Sequence, residues 1–212
     1  MTEIWSDRAQ AYRESPDHRE GADLDLLVEW AAGARTALDV ATGGGHVARR
    51  LREAGLQVVS CDPAPGMQPD VICSAEDLPF AEASFDVVAC RVAAHHFEDV
   101  RAAVGEMARV SADRVLVADN LFLGERAEEA DRLRDPSHVR NYSESEWRGL
   151  LEDAGLRVED VRIFEKPIEL EPWLARAGCA GEEAARVREL LADLIEGGLV
   201  RLDRIALKAV RH

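Results

Sequence analysis

The sequence predicts an α/β fold built on a doubly wound, mostly parallel sheet of seven strands, with the last strand antiparallel. From Arg35 onward, short runs rich in Val, Leu and Ile alternate with amphipathic segments, which is typical of consecutive β-α-β units. The turn Gly43–Gly45 joins the first of these runs to the first amphipathic segment. The chain then closes on an alternating run with no helix-length segment after it.

Each predicted strand is a short apolar run bounded by turn-forming or charged residues. The predicted strands are Ala37–Val40, Gln57–Cys61, Val71–Cys73, Phe85–Cys90, Arg114–Ala118, Arg157–Phe164 and Arg201–Val210.

Helices are predicted where apolar residues recur at helical spacing. His46–Ala54 is such a segment, and Gly55 follows it as a C-cap. Val100–Val110 is a second, and Ser143-x-x-Glu146 forms a capping box that opens a third around Trp147–Leu151. Glu171–Ile195 is also predicted to be helical, with breaks near Gly178 and Gly181.

The 212 residues are expected to form a single domain. Residues 1–34 form a short helical N-terminal cap containing Trp5 and Tyr12, which can cover a site. Residues 35–212 form the core, with insertions toward the C-terminus on the substrate side.

Charge and cysteine content narrow the function classes. The chain contains 26 Lys and Arg residues and 41 Asp and Glu residues, so its net charge is −15. This negative charge disfavours binding to nucleic acid or to an anionic membrane surface. The four cysteines form no C-x-x-C pair, and no residue is predicted as a metal ligand. With no secretory or membrane-spanning segment recognised, the expected location is cytoplasmic.

The turn Gly43–Gly45 is the strongest sequence signal of a ligand site. It lies between a predicted strand and a predicted helix, where the backbone can approach a ligand because no Cβ intervenes. Asp62 ends the next strand, about 20 residues later, where an acidic side chain can accept hydrogen bonds from ribose hydroxyls. A dinucleotide is also compatible, because Gly43-x-Gly45-x-x-Ala48 satisfies the G-x-G-x-x-A pattern.

Four segments together resemble class I S-adenosylmethionine-dependent methyltransferases, a family with a Rossmann-like fold. They are Leu38–Gly45, Val59–Asp62, Ala75–Phe80 and Ser84–Val88. The resemblance covers nearly the whole chain and is to the small-molecule branch related to ubiquinone and menaquinone biosynthesis methyltransferases. Two positions depart from the family pattern: Ala41 replaces the first glycine, and Ser74 stands where relatives often have aspartate.

The resemblance implies a site for S-adenosylmethionine. Asp39 would lie near the methionine amino group, Asp62 would hold the ribose, and the loop from Ala75 would contact adenine. The cofactor-binding residues implied are Tyr12, Asp39, Ala41, Thr42, Gly43, Gly45, Asp62, Pro63, Met67, Ala75, Glu76, Arg91 and Val92.

His95 and His96 are the candidate catalytic bases. They follow the fourth strand, where the active sites of open sheets gather, and imidazole titrates near neutral pH. Only one of two adjacent side chains is expected to face the site. The segment Asp135–Tyr142 is equally compatible with an acceptor pocket and with a simple connecting loop.

These features favour a methyltransferase that acts on an unidentified small-molecule acceptor. Two alternatives stay open at this stage: an NAD(P)-dependent oxidoreductase and a non-catalytic protein that binds S-adenosylmethionine. The oligomeric state does not follow from the sequence.

Overall fold

The computed structural model describes residues 2–212, except for the side chains of Thr2, Glu3, Asp7 and Asp17. The helices in this range are α1 (Thr2–Glu14), α2 (Pro16–Arg19), α3 (Ala22–Trp30), α4 (His46–Glu53), α5 (Val100–Val110), α6 (Glu125–Arg134), α7 (Glu144–Asp153), α8 (Leu170–Arg176) and α9 (Gly181–Leu190). The strands are β1 (Thr36–Val40), β2 (Gln57–Asp62), β3 (Val71–Ile72), β4 (Phe85–Arg91), β5 (Ser111–Asn120), β6 (Leu156–Phe164), β7 (Pro167–Glu169), β8 (Ile195–Glu196), β9 (Leu199–Arg201) and β10 (Arg204–Arg211).

Seven strands form the main sheet, in the order β3-β2-β1-β4-β5-β10-β6. Six of them run parallel, and β10 runs antiparallel between β5 and β6. Helices cover both faces, so the predicted doubly wound sheet with an antiparallel last strand is confirmed. The connections proceed outward in opposite directions from β1 and β4, and such a switch point leaves a crevice at the carboxyl ends of these strands.

The apolar runs of the central strands bury alternate residues on opposite faces of the sheet. In β4, Val88 and Cys90 pack with α5 and α7, whereas Val87 and Ala89 pack with α3 and α4. Successive side chains point to opposite faces of a strand, so a strand covered on both sides is apolar at nearly every position. This burial explains why the strands could be recognised in the sequence as continuous apolar runs.

The C-terminal third differs from the sequence prediction. The predicted helix Glu171–Ile195 is two helices, α8 and α9, followed by a short 3₁₀ turn, and Ile195 begins β8. Gly197 and Gly198, at φ 57° and 82°, form the tight turn between β8 and β9, as glycine pairs do in two-residue hairpins. These strands join β7 in a second, three-stranded sheet.

The last predicted strand, Arg201–Val210, was therefore wrong at its start. Arg201 ends β9 in the small sheet, and the closing strand of the main sheet begins at Arg204. Helix α6 was not predicted, and β3 ends one residue before the predicted Cys73.

The N-terminal helices pack in two different ways. Leu24 and Leu27 of α3 are fully buried against the sheet. Helix α1 instead packs over the 3₁₀ turn Pro65–Met67, where Ala9 contacts a small cluster that includes Met67. No helix among residues 2–212 has both the length and the apolar character needed to cross a membrane.

Candidate functional site

A cavity of about 600 Å³ lies at the carboxyl ends of β1, β2 and β4, beneath the N-terminal helices. It occupies the crevice at the switch point of the sheet, where open α/β sheets bind their ligands. The volume falls in the range of roughly 300–1,000 Å³ that is typical of small-molecule sites.

The turn after β1 is held by the carboxylate of Asp39. Its Oδ2 accepts hydrogen bonds from Thr42 Oγ1 at 2.5 Å and from Ala48 N, in the first turn of α4, at 2.9 Å. Ala41 and Gly43 both have positive φ, 53° and 51°. A left-handed conformation costs an alanine about 1–2 kcal/mol but is readily adopted by glycine, which explains the glycine-rich composition of the turn.

The surroundings of Asp39 favour a positively charged ligand. Asp39 is only 1% exposed. Burial raises the pKa of its carboxyl to about 6, although the hydrogen bonds from Thr42 and Ala48 oppose the shift. A cation placed beside this carboxyl would favour its ionised form. The cavity is also lined by Asp62, Glu76 and Glu98, which adds to its acidic character.

Asp62, at the end of β2, is linked to two turns. Its Oδ2 accepts a hydrogen bond from Gly43 N at 3.0 Å, and its Oδ1 accepts one from Ala64 N at 2.9 Å. Burial raises the pKa of this carboxyl, while the two backbone donors oppose the shift. Each carboxylate oxygen can accept a further hydrogen bond, so Asp62 can support the glycine turn and bind a hydroxyl-bearing ligand together.

The far end of the cavity is formed by the loop after β3 and the start of α5. Ser74 Oγ donates a hydrogen bond to Glu76, and Glu76 Oε1 accepts one from Glu98 N at 3.2 Å. Ala75 and Asp99 also line this end. The side chain at position 74 therefore contacts Glu76, which supplies an acidic group at this end of the cavity.

The two adjacent histidines occupy different environments. His95 does not line the cavity. Its ring is buried, and Nδ1 lies 2.5 Å from Asp119 Oδ1. Burial lowers the pKa of His95, but the Asp119 carboxylate outweighs this effect and the net shift is upward.

His96 lines the cavity and has a defined tautomer. Its Nδ1 lies 3.0 Å from the carbonyl oxygen of Ser137, which can only accept, so Nδ1 carries the proton. Among the described residues nothing is hydrogen-bonded to Nε2, which is left with a free lone pair. Burial, followed by the charge on His95, holds the pKa of His96 well below its usual value, so the ring is neutral near pH 7.

A chain of contacts links His96 to helix α1. The Asp135 carboxylate accepts hydrogen bonds from Ser137 Oγ at 2.6 Å and from Ser137 N at 3.1 Å. Arg8 Nη1 in turn donates to both carboxylate oxygens of Asp135, at 3.1 and 3.2 Å. The position of His96 therefore depends on the docking of α1.

Arg91, at the end of β4, anchors the cap rather than presenting a free cation to the cavity. Its Nε donates to Asp23 Oδ2 at 2.6 Å, and its Nη1 donates to the carbonyl of His18 at 2.7 Å. Arg204 Nη1 donates to the same Asp23 oxygen at 3.0 Å. Burial opposes ionisation of Asp23, but the two guanidinium groups outweigh it and lower its pKa to about 2.

Aromatic rings of the cap form the roof beside His96. The Trp5 ring meets that of His96 edge to face, with centroids 4.5 Å apart, and it lies 5.9 Å from Tyr12. The Tyr12 ring in turn lies 5.0 Å from His18. His46 Nε2 donates a hydrogen bond to the carbonyl of Tyr12 at 3.1 Å, which joins the cap to α4.

Most of the residues predicted for the site lie around this one cavity. Gly45 does not line it: it is the N-cap of α4, with φ 76°, and His95 lies behind the lining. The predicted residues that line the cavity are Tyr12, Asp39, Ala41, Thr42, Gly43, Asp62, Pro63, Met67, Ala75, Glu76, Arg91, Val92 and His96.

Sequence reasoning did not assign a further set of lining residues to the site. Phe97, Glu98 and Asp99 lie just before α5, and Ala102 lies in its first turn. They follow the fourth strand at the same sheet edge as His96, so their position in the β-α-β order was the signal that could have found them. Trp5 was expected in a cap that can cover a site, but its place beside His96 follows only from the packing of α1.

Comparisons with known proteins agree with this geometry. Residues 38–117 match the family described as a methyltransferase domain. The uncharacterized methyltransferase YcgJ of Bacillus subtilis is 33% identical over 208 residues, covering 86% of this chain and 82% of that protein. The crystal structure of YcgJ superimposes with a TM-score of 0.82 over 90% of this chain and 98% of that chain, at 29% identity.

A second relative is a demethylmenaquinone methyltransferase of Beutenbergia cavernae, 36% identical over 110 residues, which are 46% of this chain and 45% of that protein. These matches give no support to an oxidoreductase or to a non-catalytic binding protein. The chain belongs to the S-adenosylmethionine-dependent methyltransferase family.

Proposed function

We propose that the cavity binds S-adenosylmethionine in one defined orientation. The methionine end lies at the glycine turn, where the acidic Asp39 favours its positive charge. The ribose lies at Asp62, whose oxygens can each accept a further hydrogen bond. The adenine lies between Ala75 and the start of α5, at the far end of the cavity.

The acceptor is a small molecule with a hydroxyl group, held under the cap beside His96. The observation that carries this proposal is the hydrogen bond from His96 Nδ1 to Ser137 O, which leaves Nε2 unprotonated on a residue that lines the same cavity as the glycine turn. The aromatic rings of Trp5 and Tyr12 form an apolar roof over this end. A neutral, partly apolar acceptor fits this end of the cavity better than a highly charged acceptor does.

In the proposed reaction the acceptor oxygen attacks the sulfonium methyl carbon in line with the leaving sulfur. The bond from carbon to oxygen forms as the bond from carbon to sulfur breaks, and S-adenosylhomocysteine leaves as the neutral thioether. The acceptor proton moves to His96 Nε2. The protein contributes mainly by bringing the two reactants together and excluding water, effects that account for a large part of the rate in such transfers.

The binding part of the proposal is tested by thermal unfolding with ligands. S-adenosylhomocysteine should raise the midpoint, because it binds only the folded state, and NADH should leave it unchanged. A rise with NADH alone would contradict the assignment of the cofactor.

The catalytic part is tested with His96→Gln. Rates are measured as transfer of labelled methyl from S-adenosylmethionine into a bacterial metabolite extract. The expected rate is about 10²–10⁴-fold lower than that of the wild type, the usual contribution of a general base. S-adenosylhomocysteine affinity should be unchanged, and the exposed His212→Gln serves as the control. An undiminished rate in His96→Gln would remove this residue from the mechanism.

A further inference from the structure

A second group of chemically active side chains lies behind the cavity, between α6 and the segment that follows it. Glu128 and Asp131, three residues apart on one face of α6, converge with His138. One ligand atom of each, two carboxylate oxygens and an imidazole nitrogen, lie within 4.8 Å of one another. All three residues are at most 9% exposed, and none lines the 600 Å³ cavity.

The residue types suit a divalent transition-metal ion. Two carboxylates and one imidazole combine hard oxygen ligands with a borderline nitrogen ligand, a set found at zinc, iron and manganese sites. Glu128, which also lies 2.8 Å from His138 Nε2, is held by partners outside the three residues, as metal ligands usually are. Asn141 N donates to both oxygens of Glu128, at 3.2 and 3.3 Å, and Arg132 Nη2 lies 3.5 Å from Glu128 Oε1.

Asp131 is buried, and its hydrogen-bond partners are few. The one side chain among the described residues that donates a hydrogen bond to it is Asn141, from Nδ2 at 2.7 Å. Arg134, the nearby cation on α6, is directed to Trp173 instead: it lies 4.2 Å from the ring centroid and donates to the Trp173 carbonyl at 3.2 Å. His95 is paired with Asp119.

Asn141 provides independent evidence that a cation binds here. It is 4% exposed, and its Oδ1 is buried without a hydrogen-bond partner among the described residues. Buried polar atoms are nearly always paired, so such an atom calls for an explanation. With a cation between Asp131 and Asn141, the amide can turn so that Oδ1 faces the cation. In this arrangement Oδ1 gains the cation as its partner, and the cation replaces the hydrogen bond from Nδ2 in compensating the charge of Asp131.

We propose that Glu128, Asp131 and His138 bind one divalent transition-metal ion of the Zn²⁺ type, with Asn141 Oδ1 as a fourth ligand. The ion joins α6 to the segment that contains Ser137, the residue that orients His96. Its role is structural, because the site is separate from the cavity. The proposal concerns this cluster alone and does not depend on the proposed function.

The test uses the full chain, treated with chelator and returned to metal-free buffer. Titration calorimetry with ZnCl₂ should show one tight site, and Zn²⁺ should raise the midpoint of thermal unfolding. Glu128→Gln should weaken Zn²⁺ binding by more than about 10–100-fold, the range seen when only an outer partner of a metal ligand is lost. The matched control is Glu129→Gln, because Glu129 is the adjacent acidic residue of α6 and its side chain instead pairs with Arg186.

A second variant keeps the proposal testable if Glu128→Gln does not fold. Asp131→Asn keeps the shape of the side chain and removes its buried charge, so without metal it should be at least as stable as the wild type. Zn²⁺ should no longer raise its unfolding midpoint. The proposal is overturned if the wild type binds no stoichiometric Zn²⁺, or if Zn²⁺ stabilises Asp131→Asn or binds Glu128→Gln as strongly as it does Glu129→Gln.

Discussion

On the sheet side of the cavity, formed by the turns after β1, β2 and β4, Asp39 contacts Thr42 and Ala48, three and nine residues away. On the cap side, formed by α1–α3 and residues 135–138, Arg8 contacts Asp135, 127 residues away, and Arg91 contacts Asp23, 68 residues away. The sheet side is therefore held mostly by short-range hydrogen bonds to the backbone. The cap side depends on side-chain ion pairs between distant segments.

This difference matches the roles proposed for the two sides. A cofactor common to a whole family can be bound by backbone turns that recur with the fold, whereas acceptors differ and are recognised by segments added to it. The two sides should consequently respond differently to substitution: the sheet side in cofactor affinity, the cap side in stability and turnover.

The largest expected effect is on the cap side, in Asp23→Asn. The substitution leaves the buried guanidinium groups of Arg91 and Arg204 without their shared carboxylate. Breaking a buried ion pair from one side costs about 3–5 kcal/mol, so the free energy of unfolding in urea at pH 7 should fall by this order. Asp25→Asn, on the same helix, removes an exposed pair with Arg50 and should cost less than about 1 kcal/mol.

The effect of Asp23→Asn on the free energy of unfolding should also depend on pH. The folded-state pKa of Asp23 is about 2, below its usual 3.8, so its stabilisation is complete above pH 4 and is lost as the pH falls toward 2. The difference in unfolding free energy between wild type and Asp23→Asn should therefore shrink over this interval. A constant difference would mean that the ion pairs do not account for the stability loss.

The next largest effect is expected on the sheet side, in Asp62→Ala. Hydrogen bonds to a charged group contribute about 1.5–3 kcal/mol, so calorimetry should show S-adenosylhomocysteine binding weakened by about 10–100-fold. The unfolding midpoint should also fall, because Gly43 N and Ala64 N lose their acceptor.

Gly66→Ala provides the contrasting substitution, because Gly66 lies in the turn on which α1 of the cap side packs. A Cβ at Gly66 would lie 2.5 Å from the Cα of Ser6, so α1 must move. Methyl transfer should fall more than cofactor affinity. If both variants changed turnover and affinity in the same proportion, the proposed division between the two sides would be wrong.

A smaller effect is expected from pH on the sheet side. Ionisation of Asp39, with a pKa of about 6, should strengthen binding of the cationic S-adenosylmethionine as the pH rises from 5 to 7, by about tenfold. Asp39→Asn should bind weakly and without this pH dependence.

The stability of the ligand-free protein should show the opposite trend. Because the folded-state pKa of Asp39 lies above its usual 3.8, the contribution of Asp39 to stability is complete below about pH 4 and is lost as the pH rises through 6. Asp39→Asn should lack this loss, because a side-chain oxygen can still accept from Thr42 and Ala48. Identical stability profiles for the two proteins would argue against a raised pKa.

The smallest expected effect is a gain in stability from Ala41→Gly. Ala41 has φ 53°, a conformation that costs alanine about 1–2 kcal/mol, and the greater freedom of glycine in the unfolded chain offsets part of this. The unfolding free energy should rise by up to about 1 kcal/mol. The same substitution at the exposed helical Ala185 should lower it by about 1 kcal/mol. A loss of stability at both positions would show that the turn is not strained.

The sequence by itself determined the sheet and most of the sheet side of the site. Strands covered on both faces appear as continuous apolar runs, and Asp39, Gly43 and Asp62 lie at strand ends that parallel topology brings to one edge. These features are local, or follow from the order of consecutive β-α-β units.

The tertiary structure decided what depends on contacts between distant segments. Two adjacent histidines looked equivalent in the sequence, and only the carbonyl of Ser137 and the carboxylate of Asp119 distinguish them. The β8–β9 hairpin, the contact of Trp5 with His96 and the cluster of Glu128, Asp131 and His138 were likewise not predicted. Their partners come together only when the chain packs, and neither hydrophobic period nor motif spacing encodes such packing.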